Sequence, residues 1–306
     1  MSKNLFIIIA TYNGMEWIEQ SLNSVIKSDI PSTIVIVDNK STDGTPAFVR
    51  KQYPQVKLFE LNKNTGFGKA NNIGIDYAIT NGATYIYLLN QDAWVEPDTF
   101  SGLIRLLDDN PKYAIVSPIQ YTGDGKNLDR NFPHLLSPKN CEHILNDLVV
   151  GHLRNDIYLT KFVMAAHWMV RTAALLKVGG FMPTFKHYGE DDNLIDRMLH
   201  LGWNVGITPL YKGYHDRENR QTSREQTVYM NFIRFLTRCM DVNKNVLWIP
   251  VWFILYSGKM ILRLDAPLLL KISYIFKMFV YIFKCLIHRA IYKNGIISTF
   301  RSPYDK

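Results

Sequence analysis

Residues 85–92 read Tyr-Ile-Tyr-Leu-Leu-Asn-Gln-Asp: five apolar side chains run without a break into three polar ones. An unbroken apolar run this short is the mark of a strand buried on both faces, as in the interior of a parallel sheet. Its C-terminal end matters most, because ligands of open α/β sheets bind in the crevice outside the carboxyl ends of the strands. Asp92 stands at that end, where a carboxylate is placed to share a hard cation with substrate phosphates. Three similar runs precede it: Leu5 to Ala10, Thr33 to Val37 and the weaker Val56 to Leu61. Between them, apolar residues fall at helical spacing (Trp17, Ile18, Leu22, Val25, Ile26), then over 45–53 and from Gly68 to about Ile79. Strands alternating with helices predict βαβ units and a mainly parallel sheet. With right-handed crossovers, all four polar strand ends open on one crevice.

The second half continues less regularly. The pattern predicts helices over 97–107 and 171–178 and from Glu190 to about Leu201, strands over 114–117 and 204–207, and β structure within 157–170. Residues 121–156 are polar and aperiodic, and a long irregular insert of this kind is usually functional. Beyond His215 the composition changes. Residues 1–215 carry 20 basic and 21 acidic side chains, whereas residues 216–306 carry 15 and 6, so the net charge of +8 belongs to the tail. The tail also holds two apolar zones, 246–256 and 268–287, the second punctured by Lys271, Lys277 and Lys284. A transmembrane helix needs about 20 nearly uncharged residues, so the second zone reads as interfacial. The division expected is a domain over 1–216 and a helical, membrane-associating extension over 217–306. Its basic character is mixed with apolar residues, which disfavours nucleic acid as a partner.

Three cysteines without metal-ligand spacing argue for a reducing compartment. The apolar run Leu5 to Ile9 is too short for a signal-peptide core, so a cytoplasmic location is expected. The 66–74 stretch Gly-Phe-Gly-Lys-Ala-Asn-Asn-Ile-Gly opens a helix as an anion-binding start does. It lacks the third glycine of the dinucleotide fingerprint and follows the third strand, not the first. Glu190, Asp191 and Asp192 sit at a helix start, where like charges raise one another's pKa and suit one of them to act as a general base.

Taken together, IIATYNG (8–14), VDNKSTDG (37–44), NTGFGKANNIGI (64–75), LLNQDAWVEPD (88–98), VGGF (178–181) and YGEDDNLIDRMLHLGW (188–203), trailed by His215, resemble the family 2 glycosyltransferases of the GT-A fold, in particular bacterial rhamnosyltransferase-like members. The motifs stand in family order over about 70% of the chain, residues 4–216. The resemblance implies an inverting transfer of a sugar from a nucleoside-diphosphate sugar to a hydroxyl of a glycan or lipid-linked acceptor. It implies nucleotide-sugar contacts at Thr11, Tyr12, Asp38, Asn64, Gly66, Asn72, Asn90 and Gln91, and a divalent cation, Mg2+ or Mn2+, at Asp92 and His215. Asp191 is implied as catalytic base with Glu190 beside it, and the acceptor side falls to the 121–156 insert and Trp168. The family's Asp-x-Asp appears here as Asn90-Gln91-Asp92, which lacks the first carboxylate. A non-catalytic nucleotide-sugar binding protein and a nucleotidyltransferase are the competing readings; the latter would need a Gly-rich basic loop after the first strand.

Overall fold

The structure, a computed structural model, describes residues 4–216 and 223–294. Strands β1 (Leu5–Thr11), β2 (Thr33–Asp38), β3 (Lys57–Glu60) and β4 (Tyr85–Asn90) alternate with helices α1 (Ile18–Ile26), α2 (Thr45–Gln52) and α3 (Phe67–Thr80). They form the parallel half of one sheet, in spatial order β3-β2-β1-β4. Next come β5 (Ala93–Val95), α4 (Thr99–Asp109) and β6 (Tyr113–Thr122), then α5 (Phe132–Leu135), α6 (Ile144–Val150), β7 (Tyr158–Leu159), β8 (His167–Arg171) and α7 (Thr172–Val178). After these run α8 (Glu190–His200) and β9 (Asn204–His215), followed by α9 (Arg224–Met240), α10 (Ile249–Arg263) and α11 (Leu268–Asn294). The sheet continues from β4 as β8-β6-β9-β5, with β8 antiparallel to both neighbours and β6 parallel to β9.

Side-chain alternation builds two cores. Ile8, Val35, Val37, Ile86 and Leu88 face α3 and α8, while Ile7, Ile9, Ile36, Tyr87 and Leu89 face α1 and α4. Each fully buried aliphatic side chain contributes about 1.5–3 kcal/mol. Helix α3 lies close to β1 because Gly74 has no side chain: a Cβ there would stand 2.5 Å from Ile8 Cγ2. The register brings Thr11 level with Asp38 and Ala10 level with Asn90, so the polar strand ends share one rim.

Besides the unexpected β5 and the longer β6, three regions differ from the sequence expectation. Residues 157–170 are not one β segment: β7 and all of β8 except Arg171 fall within them, separated by residues 160–166. The 121–156 insert contains two short helices, α5 and α6. The last strand does not stop at Ile207 but resumes past Pro209 to His215, with a register shift opposite Pro118 and Ile119. Proline cannot donate to the ladder, so residues 209–211 leave it and pairing restarts at Lys212. That restart carries His215 to the rim.

Helices α9–α11 form a third apolar cluster, in which Val228, Phe235, Trp252 and Met278 meet Met182 and Phe185 of the loop before α8. Arg289 of α11 is buried and donates to the carbonyls of Cys239, Asp241 and Lys244, closing the end of α9. Along α11, Leu269, Ile272, Phe276, Phe279, Phe283 and Ile287 form an exposed apolar stripe. Among the described residues one segment, Val246–Arg263, is long and apolar enough to cross a membrane by length and composition.

Candidate active site

At the rim, Asp38 is buried and works for the loop that follows it. Its Oδ1 accepts from the Thr11 hydroxyl at 2.9 Å and the Ser41 hydroxyl, and its Oδ2 accepts from the Ser41 N–H at 2.8 Å. Gln91 clasps the backbone of Tyr12, accepting from its N–H at 2.8 Å and donating to its carbonyl at 3.2 Å. The Tyr12 ring is left 49% exposed at the end of β1. Asn64 accepts from the Gly66 N–H at 2.9 Å. Gly66 adopts φ +87°, and a Cβ there would stand 2.0 Å from the Lys186 carbonyl oxygen, so only glycine permits this approach. Asn72 pairs both amide atoms with the Phe181 backbone at 2.8 Å. These three residues tie the start of α3 to the 181–189 loop.

The end of β4 meets the end of β9. His215 Nε2 lies 3.3 Å from Asp92 Oδ1 and 3.3 Å from Asn90 Nδ2, while Nδ1 lies 3.1 Å from Asp129 Oδ2. With Nδ1–H held by the Asp129 carboxylate, Nε2 turns its lone pair toward Asp92, the arrangement a metal-ligating imidazole adopts. Asn90 Oδ1 is buried without a hydrogen-bond partner, while its Nδ2 faces His215. A carboxylate and an imidazole nitrogen suit a divalent cation, and a flip of the Asn90 amide would turn its unpartnered oxygen toward them. Among the described residues, no group of three or more His, Cys, Asp or Glu side chains is clustered as a metal site. Behind this group, His167 bridges the Tyr87 hydroxyl at 2.9 Å and the Tyr214 carbonyl at 3.0 Å. Burial lowers its pKa to about 3, so it is a neutral strut.

Across a cavity of about 430 Å3 from Asn90 stand Glu190, Asp191 and Asp192 in the first turn of α8. Gly189 precedes them at φ +86°, and a Cβ there would stand 2.8 Å from Thr237 of α9. Burial, then the charge of Asp191, raises the Glu190 pKa to about 8. Asp192 is raised to about 8 by burial, then by Asp191 and Asp196. Burial also raises Asp191, against the pull of neighbouring backbone N–H groups. Glu190 is buried with Oε2 unpartnered, whereas Asp191 keeps partial exposure on the cavity wall. Such a trio shares a proton near neutral pH, and an ionised member of it can accept the proton of a substrate hydroxyl.

The tertiary structure adds residues to this site and removes one. Asp129, in the aperiodic insert, was not singled out; its side chain accepts from the Asn131 N–H at 2.9 Å, a turn visible in the sequence, but its contact with His215 spans 86 residues. Helix α9 supplies Met230, Ile233, Arg234 and Thr237 to the cavity, from beyond the motif-bearing region. Asn131 of the insert also lines it. Trp168 is a correction: it is fully buried, stacks on Phe181 and donates to the Val163 carbonyl at 3.2 Å, so it belongs to the core and not to the acceptor side. It faces inward because strand alternation puts it on the sheet face covered by Val163 and Phe181.

Comparison with known proteins decides the family. The model of "Glycosyl transferase family 2" matches residues 6–179, more than half of the chain. The chain belongs to glycosyl transferase family 2. This family 2 enzyme is similar to the N-acetylglucosaminyl-diphospho-decaprenol L-rhamnosyltransferase of Mycobacterium tuberculosis, with 24% identity over 252 residues, covering 75% of this chain and 81% of that one. It is similar over a shorter stretch to the dTDP-rhamnosyl transferase RfbF of Shigella flexneri, 31% identical over 121 residues and 39% of each chain. Among solved structures it shares its fold with residues 1–349 of Staphylococcus aureus TarS in complex with UDP-GlcNAc, at TM-score 0.61 and 16% identity, covering 92% of this chain and 81% of that one. The mannosyltransferase PcManGT of Pyrobaculum calidifontis, in complex with GDP-Man and Mn2+, aligns at TM-score 0.55 and 18% identity, over 95% and 74% of the two chains. The GT-A fold and the family stand as the sequence motifs implied. The family 2 enzyme is thus an inverting glycosyltransferase that moves a sugar from a nucleoside-diphosphate sugar to an acceptor hydroxyl.

Proposed function

We propose that this transferase is metal-dependent, uses Asp191 as its base and works on a lipid-linked acceptor at the inner face of the cytoplasmic membrane. The observation that carries the catalytic part is the α8 carboxylate trio facing Asn90 across one cavity. Thr11, Tyr12 and Asp38 form the nucleotide end, with the exposed Tyr12 ring available to stack on a base. Asn64, Gly66 and Asn72 hold the loop that closes this end, and Gln91 fixes Tyr12. Asp92, His215 and the Asn90 amide oxygen would hold the cation, Mg2+ or Mn2+. When bound, it offsets the negative charge that builds on the departing diphosphate. Asp191 takes the proton of the acceptor hydroxyl as its oxygen attacks the anomeric carbon from the face opposite the diphosphate, and one such displacement inverts that centre. Glu190, whose pKa burial raises to about 8, holds a proton near neutrality beside Asp191.

The acceptor reading draws on the mycobacterial relative, whose name specifies a diphospho-decaprenol-linked sugar. It also draws on the exposed stripe of α11, where Lys277 and Lys284 lie 4.2 and 4.4 Å from the centroids of Tyr274 and Tyr281. Aliphatic and aromatic side chains flanked by lysines suit an anionic lipid surface, with the hairpin lying in the interface. On this view residues 1–216 are the catalytic domain, and 217–306 attach it to the membrane while α9 completes its cavity.

The test is a panel of UDP-, dTDP- and GDP-sugars with Mn2+, Mg2+ or EDTA, read by thermal shift and by release of nucleoside diphosphate. A ligand that binds the folded state raises its Tm with occupancy. One nucleotide class giving a shift and slow cleavage that both vanish in EDTA is the expected result. Equal shifts and cleavage with EDTA would remove the cation from the scheme, and no response to any nucleotide sugar would remove the donor site.

A further inference from the structure

Next to the reaction cavity lies a second recess of about 340 Å3. The two share Phe162, Asp192, Arg234 and Thr237, so they adjoin across these side chains. The recess contains none of Thr11, Asp38, Asp92 or His215, which places it away from the nucleotide end. Four cations converge on it: Lys161 ahead of β8, Arg234 and Arg238 one turn apart on α9, and Lys244 after α9. Lys244 is paired with Asp241. Among the described residues, no carboxylate lies within ion-pair distance of Lys161, Arg234 or Arg238. Three such cations around one concavity repel one another, and an anion bound between them removes that repulsion. The remaining wall is formed by Asp192, Asp196 and Tyr256 of α10. The same helix α10 carries exposed Leu255 and Leu262.

We propose that this recess binds the phosphate or diphosphate of the acceptor, so that the acceptor enters as an amphiphilic anion with its sugar toward Asp191 and its chain leaving over Tyr256 toward α10. The assignment rests on the transferase reading of the neighbouring cavity and adds to it the residues that hold the acceptor's charge. The two carboxyls in the wall do not defeat it. Burial first, and then neighbouring carboxylates, raise Asp192 to about 8 and Asp196 to about 7, so both carry reduced negative charge near neutral pH. Arginine suits the task, since its planar fork matches phosphate oxygens.

The experiment uses the full chain in detergent with EDTA, which suppresses cation-dependent binding at Asp92. Farnesyl diphosphate, inorganic pyrophosphate and farnesol are titrated against wild type, Arg238→Ala, Lys161→Ala and the charge-retaining Arg238→Lys. Losing a charge-assisted contact of about 1.5–3 kcal/mol corresponds to a loss of roughly ten- to hundredfold in affinity. Farnesyl diphosphate is therefore expected to bind at least tenfold more tightly than farnesol, and Arg238→Ala and Lys161→Ala to weaken it about tenfold each. Arg238→Lys should keep most of the affinity, and farnesol binding should not change in any variant. Equal binding of farnesyl diphosphate by wild type and both alanine variants overturns the proposal, as does equal binding of farnesol and farnesyl diphosphate. Pyrophosphate binding as tightly as the prenylated probe overturns the acceptor assignment in favour of a free-phosphate site. Nucleotide-sugar shifts in the same proteins report separately on the transferase reading, because neither Arg238 nor Lys161 lines the reaction cavity.

Discussion

His215 Nδ1 lies 3.1 Å from a carboxylate oxygen of Asp129, and both side chains are buried. One residue ends the last strand and the other sits in an insert without periodicity, yet together they set which imidazole nitrogen faces Asp92. Outer-shell carboxylates of this type typically change metal affinity by about 10–100-fold when removed. Asp129→Ala is expected to weaken Mn2+-dependent nucleotide binding by that order while circular dichroism stays native. Calorimetric titration checks it, and unchanged affinity would leave Asp129 a purely structural residue.

Asp191 and Glu190 separate by function. Asp191→Asn removes the base and is expected to lower kcat by about 10²–10⁴ while donor-induced thermal shifts persist. Glu190→Gln keeps the shape of a protonated carboxyl and should cost far less. Single-turnover transfer rates at fixed donor occupancy distinguish the two, and equal losses would take the base role away from Asp191.

The raised carboxyls make stability depend on pH. Glu190 moves from 4.5 to about 8 on folding, so the folded state binds more protons between those values. That contribution is fully present below 4.5 and is lost as pH rises through about 8. Asp192 and Asp196, raised from 3.8 to about 8 and about 7, act in the same direction. The apo protein should therefore melt at lower temperature at pH 9 than at pH 6, and Glu190→Gln should flatten the slope. A domain of this size shifts by about 2–4 °C per kcal/mol, well within reach of scanning calorimetry. A steeper slope in the variant contradicts the assignment.

Arg197 is buried and donates to the carbonyls of Val178 at 2.8 Å and Gly180 at 2.6 Å, and to Asn193 Oδ1 at 3.0 Å. It fixes the loop that carries Phe181 against Asn72. Arg197→Ala leaves two backbone carbonyls without this donor, at about 1–3 kcal/mol for each group that stays unsatisfied. A Tm loss of several degrees with faster amide exchange over 178–189 is expected, and exchange unchanged there would show that the loop is held by other contacts.

The α11 stripe can be tested without touching the site. Phe276→Glu with Phe283→Glu alters two exposed rings and should abolish flotation with anionic vesicles while nucleotide binding persists. Unchanged flotation would assign membrane contact to another surface.

Much of this architecture was legible in order along the chain. Unbroken apolar runs ending in polar residues marked β1, β2 and β4, because strands buried on both faces need apolar side chains at every position. Glu190 to Asp192 announced themselves as a carboxylate cluster at a helix start. Less legible were features set by distant pairing. Pro209 masked the second half of β9, whose restart depends on its β6 partner. Position 90 carries an amide and not a carboxylate, and only its surroundings reveal that its oxygen is left unpartnered while its nitrogen faces His215.

The sequence by itself determined the βαβ order, the family and the side chains at the strand ends, since these follow from local periodicity and from motifs within short stretches. The tertiary structure decided which residues meet. It turned Trp168 into the core, brought Asp129 to His215 and laid α9 along the cavity, because each of these contacts is fixed by packing between segments far apart in the chain and leaves no periodic trace in either one.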